Sequence, residues 1–259
     1  MKKLLKAALL TISTLFVLAG FASAQAPCDP KDNPCKVDVY SKRIAANPGD
    51  GEAYYGRGTA YEELKQYDKA IADYTKYIAT NPSSKQYFAD GYFGRGNCYK
   101  YMGSFVKALA DYNMAVQLYP SPNIYINRGN YYMSQKEYDR ALADYGQALV
   151  LNNNEAEAYY NRAKVYSAQK LYSKAIADLD IYLGLNKSNV LFLADGYQNR
   201  ALAYRDLGKL TQALADINSA IGLDTTLASR FTARATIYHA MGKTALANAD
   251  EATAETLKK

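Results

Sequence analysis

The residues of this chain with the most chemical range are one histidine, three cysteines, a Gly-Lys-Thr step, and six aspartates that each stand sixteen residues after an arginine. His239 has no second ligand or serine at a recognisable distance, so it supplies neither a metal centre of three or four ligands nor a nucleophile's base. Gly242-Lys243-Thr244 matches the end of a phosphate-cradling loop, but the glycine needed five residues earlier is Ile237 and no strand leads in, so the step reads as an interhelical turn. Cys28 and Cys35 bracket Asp-Pro-Lys-Asp-Asn-Pro, a turn-forming stretch, and either close a small disulfide loop, remain free thiols or bond a partner. Cys98 lies among apolar helical positions and reads as a buried, inert thiol. No catalytic residue, metal or cofactor is expected, and the chain reads as non-enzymatic.

The aspartates belong to pairs: Arg57 with Asp73, Arg95 with Asp111, Arg128 with Asp144, Arg162 with Asp178, Arg200 with Asp216, and Arg234 with Asp250. The arginines recur at intervals of 38, 33, 34, 38 and 34. Such a period marks one supersecondary unit copied six times, an array whose neighbours bury each other's apolar faces. The pairs read as a structural ion-pair ladder, each arginine bonding an aspartate of its own or the preceding unit.

In the first unit Tyr54, Gly58 and Tyr61 share one helical face, while Tyr67, Ala70, Ile71, Tyr74, Tyr77 and Ile78 form a second apolar stripe. Lys65-Gln66 separates the two, and Gly103, Gly208 and Gly242 take that place in other units. The expected elements are six hairpins, at about 51–82, 85–120, 122–153, 156–187, 190–225 and 228–259, within an array over 50–259. A cysteine-containing segment over 25–35 and a capping helix over 36–49, whose Tyr40 to Pro48 imitates Tyr74 to Pro82, precede them. The two intervals of 38 come from inserts at Lys85 to Phe88 and Val190 to Leu193, each about one helical turn. Ala-Asp-Gly-Tyr follows each insert, and the two copies lie 105 residues apart, as do Arg57 and Arg162, so three hairpins read as a duplicated block.

The order aromatic, small, aromatic, small, aromatic and proline, met by Tyr54, Gly58, Tyr61, Ala70, Tyr74 and Pro82, resembles the tetratricopeptide repeat, over residues 51 to 259. That resemblance implies an all-α, right-handed superhelical solenoid whose first helices line a concave groove. The implied groove residues are Tyr55, Thr59, Phe93, Asn97, Ile126, Asn127, Asn130, Tyr160, Asn161, Lys164, Gln198 and Asn199, with Glu52, Asp90, Glu157 and Asp195 as an acidic edge. Rings and amides together suit an extended peptide.

Lys2, Lys3 and Lys6 precede an apolar run from Ala7 to Phe21 and a small-x-small step, so residues 1–24 read as a signal peptide cut after Ala24. No later stretch is long enough to span a membrane, and export to a periplasmic or extracellular space is expected. Losing that leader takes the formal charge from +6 to +3, too mild a balance to argue for nucleic acid. The expected function is a protein-interaction scaffold that grips another protein's segment. A carbohydrate-binding trough and self-association through the groove or inserts are the alternatives.

Overall fold

The computed structural model describes residues 28–29, 31–80 and 83–258. The expected signal peptide lies outside the described residues. Thirteen helices and no strand occur among them: α1 (Asn33–Ala46), α2 (Gly51–Glu63), α3 (Tyr67–Ala79), α4 (Lys85–Tyr101), α5 (Phe105–Leu118), α6 (Pro122–Ser134), α7 (Tyr138–Leu151), α8 (Ala156–Ala168), α9 (Tyr172–Leu185), α10 (Val190–Asp206), α11 (Leu210–Leu223), α12 (Ala228–Ala240) and α13 (Thr244–Thr256). None of the described helices is long and apolar enough to cross a membrane. From α2 onward the helices pair as six antiparallel hairpins, each packed on the next, and the whole is an all-α solenoid.

Every hairpin turn contains one left-handed residue, Lys65, Gly103, Lys136, Lys170, Gly208 or Gly242, with φ between 58° and 74°. The two inserts lengthen α4 and α10 to 17 residues, against 13 for α2, α6, α8 and α12. The first helix starts at Asn33, ahead of the expected 36. Asp32 caps it by accepting from the Cys35 N–H at 2.9 Å, and Pro34 occupies the first turn, where its missing N–H leaves nothing unsatisfied. Cys35 therefore sits on a helix and is bonded to Cys28.

Tyrosines wedged onto glycines fix the stacking. Tyr74 of α3 lies against Gly58 of its own hairpin and Gly94 of the next, where a Cβ would stand 3.2 Å and 2.5 Å from the ring. Tyr112 and Tyr145 lie on Gly96 and Gly129 in the same manner, and Tyr40 of α1 covers Gly56. Only residues without a Cβ let the helix axes approach this closely around a ring. The core is a string of clusters passed from hairpin to hairpin, in which buried alanines pack with Tyr74, Tyr112 and Tyr145 in the first half of the chain and with Leu179, Tyr182, Ile217 and Ile237 in the second.

Candidate functional site

The first helices of successive hairpins touch one another, α2 with α4, α6 with α8, α8 with α10 and α10 with α12, and no pair of second helices makes a comparable contact. The first helices thus line the inner curve, in contact from α2 to α4 and along α6, α8, α10 and α12, while no contact of that extent joins α4 to α6. Tyr55, Thr59, Phe93, Asn97, Asn127, Asn130, Tyr160, Gln198 and Asn199 are half-buried on these helices, and Lys164 is exposed with its Nζ 5.5 Å from the Tyr160 ring centre. Ile126 departs from the expectation. It is 1% exposed, sealed in the core with Tyr112, Tyr131 and Tyr145, because its short side chain does not reach past the rings as Tyr55 and Phe93 do from the same register. Asn161 is also buried and donates to Glu157 at 3.3 Å.

Several groove amides are engaged inside the fold. Asn97 and Asn130 accept from the Tyr112 and Tyr145 hydroxyls at 2.8 and 2.6 Å, and their Nδ2 groups have no hydrogen-bond partner among the described residues. Asn127 donates to the Asn123 carbonyl, and Asn199 to Tyr160 Oη at 3.0 Å and the Asp195 carbonyl at 2.9 Å. Tyr55 packs on Tyr74 and Tyr77, and Tyr160 on Tyr182 with ring centres 4.9 Å apart.

Two pockets open on this surface, where each long helix leaves its one-turn extension beside the preceding hairpin. One, of about 320 Å³, is lined by Glu52, Tyr55, Tyr77, Tyr87 and Asp90, with Tyr40, Arg43 and Gly56 closing its α1 side. The other, of about 290 Å³, is lined by Glu157, Tyr160, Tyr182, Phe192 and Asp195, with Ala156, Asn161 and Asn186. The first five residues of each set correspond one to one at a separation of 105. Burial pushes the Tyr55 hydroxyl up to about 12, with the Asp90 charge adding to it, and burial also raises the Asp90 carboxyl from its ordinary value.

The arginine and aspartate pairs lie within hairpins. In all six, Nε and Nη2 of the arginine donate to the two oxygens of the aspartate sixteen residues on, at 2.7–2.8 Å. The aspartates are 4–8% exposed, so these fork-on-fork bonds satisfy carboxylates that water barely reaches. The same bonds hold the guanidinium pKa values above their ordinary level, outweighing burial in five cases by their own size and in Arg128 together with the Asp144 charge. In five of the six, aromatic rings three residues before and four after cover both sides of the guanidinium, with Cζ 5.5–5.9 Å from their centres. Aspartates so engaged, one per hairpin, do not converge as an acid and base pair.

Tetratricopeptide repeat profiles match residues 51–84, 89–122, 156–189 and 194–226, and a further TPR repeat profile matches 129–170, together more than half of the chain. The chain belongs to the tetratricopeptide repeat family. Its fold recurs in known structures at low sequence identity. The APC/C hetero-tetramer Cut9-Hcn1 matches at 18% identity with a TM-score of 0.72, covering 87% of this chain and 43% of that one, so the array spans less than half of its length. YrrB, described as a TPR protein with an unusual peptide-binding site, matches at 19% and 0.57, covering 73% and 94%. A tetratricopeptide repeat protein from Parabacteroides merdae matches at 20% and 0.65, covering 88% of each chain. No curated protein sequence matches the chain.

Two features of this TPR array lie outside the sequence reading. The third donor of the ladder arginines, Nη1, reaches the preceding second helix: Ser41, Thr75, Asn113, Asp180 and Asn218 accept from Arg57, Arg95, Arg128, Arg200 and Arg234 at 2.6–3.2 Å. Gly146 holds that position ahead of Arg162 and offers no acceptor. The second feature is Arg230, 1% exposed, which donates to Asp224 and, at 2.9 Å, to Asp195. The signal for it was a lone arginine where the other units hold Ala53, Gly91, Ile124, Ala158 and Gly196.

Proposed function

We propose that this TPR array is a non-catalytic scaffold that binds an extended segment of another protein along its concave face, in the cell envelope after export. The observation that carries the reading is the inner face itself. The Asn97 and Asn130 amides keep donors without partners among the described residues, beside the half-buried rings of Tyr55, Phe93 and Tyr160, so backbone carbonyls and apolar side chains of a peptide have complements there. The peptide-binding site named for YrrB, on a related solenoid, supports the same use of the fold. Export is supported by residues 1–24 and by the Cys28 to Cys35 disulfide, a bond that persists in oxidising compartments. Sugar binding has less support, because most tyrosine faces are already occupied by guanidinium groups or other rings.

Parallel peptide and glycan arrays probed with the chain from Gln25 onward test this. Peptide hits are expected, weakened by Asn127→Ala combined with Lys164→Ala while helicity by circular dichroism is unchanged. Hits confined to glycans, or none on either array, would overturn it.

A further inference from the structure

The two pockets are copies, and the second displays what the carboxylate in each one takes. Asp195 is bonded by the guanidinium of Arg230, sent in from the following hairpin. The register of Arg230 in the first block, five residues before the small position, is filled by Ile124. Asp90 consequently has no hydrogen bond or ion pair among the described residues. It stands half-buried with Tyr55, Tyr77 and Tyr87, and Tyr87 is 56% exposed at the rim. Arg43 lines the same pocket but is forked onto Asp50, with Nε to Oδ2 at 3.0 Å and Nη2 to Oδ1 at 3.1 Å, and is itself an exposed side chain. Glu52, exposed and 3.7 Å from Arg43, adds a second negative charge. A carboxylate without a counter-charge, beneath the exposed ring of Tyr87, attracts a cationic side chain through both a charge-assisted hydrogen bond and cation–π contact. The space, about 320 Å³, admits one long side chain and no folded element.

We propose that this pocket is the anchor of the groove and receives one arginine or lysine side chain from the bound segment, so that the partner is a protein with a basic extended stretch. The inference rests on the peptide-binding reading given above and names the chemistry of its ligand. The duplicate pocket is not a second anchor, since Arg230 already satisfies Asp195.

The test uses short extended peptides identical except for one central residue, arginine, lysine, the neutral isostere citrulline, or glutamate, titrated by fluorescence anisotropy. Arginine and lysine peptides are expected to bind tighter than citrulline by on the order of tenfold, the scale of one hydrogen bond to a charged group. Asp90→Asn should abolish that preference, and Asp195→Asn should leave it intact. Because burial disfavours the charged form of Asp90, Asp90→Asn is not expected to lower Tm. Should it unfold the chain, Tyr87→Ala, at an exposed ring, is the alternative, with the preference reduced. Equal binding of all peptides, or a preference that survives both Asp90→Asn and Tyr87→Ala, overturns the anchor while leaving the groove. No binding of any peptide to the unsubstituted protein overturns the groove and the anchor together.

Discussion

Arg128 shows how much one residue does here. Its guanidinium closes a fork on Asp144, reaches Asn113 of the previous hairpin, and lies between Tyr125 and Tyr132. Removing it strands a carboxylate that is 4% exposed, so Arg128→Ala should cost roughly 3–5 kcal/mol, seen as a Tm several degrees lower. A shift no larger than that of an exposed pair, under about 1 kcal/mol, would show that water screens the ladder. The missing rung can be supplied. A Cβ on Gly146 meets nothing within 4 Å, so Gly146→Asn should offer Arg162 an acceptor, remove a helical glycine, and raise stability by about 1 kcal/mol in urea unfolding. Cys98 is wholly buried and its thiol is pushed up to about 12, first by burial and then by the Glu62 charge. It should react with a disulfide reagent at neutral pH only after unfolding, and prompt reaction in the native state would contradict that environment.

At the scale of elements, the hairpins and the long fourth and tenth helices were legible in the sequence, because Arg57, Gly58, Ala70 and Asp73 recur with fixed internal spacing, and an insert near one turn cannot rotate a helix's buried face. The arginine and aspartate spacing identified the pairs yet left their hairpin open, since sixteen residues says nothing of whether a helix bonds its own partner or the one before. The inter-hairpin bonds were hidden because Ser41, Thr75, Asn113, Asp180 and Asn218 share polarity and no residue type. Ile126 was misplaced because register alone does not say whether a side chain is long enough to emerge from between tyrosines. The paired pockets needed the superhelix itself, which brings Tyr87 of one hairpin over Tyr55 and Tyr77 of another. The stacking of elements is tight where Tyr74 meets Gly94, so Gly94→Ala, whose Cβ would fall 2.5 Å from the ring, should cost about 1–3 kcal/mol by overpacking. An unchanged urea midpoint would mean that the α3 to α4 contact has slack.

At the scale of the whole molecule, each hairpin packs chiefly on its neighbours, so stability is a sum of local terms, whereas the proposed binding is shared along the inner curve. The ladder and tyrosine wedges hold that curve in place, and the few polar groups they leave unused, Asn97, Asn130 and Asp90 among them, are the ones the proposed function assigns to a ligand. The most direct measurement is amide NMR of the chain titrated with the tightest array peptide. Shifts should map to the inner faces of α2, α4, α6, α8 and α10, largest around Tyr55, Asp90, Asn97 and Asn130. Shifts confined to α3, α5, α7, α9 and α11 would place the partner on the outer surface and contradict the concave groove as the binding site.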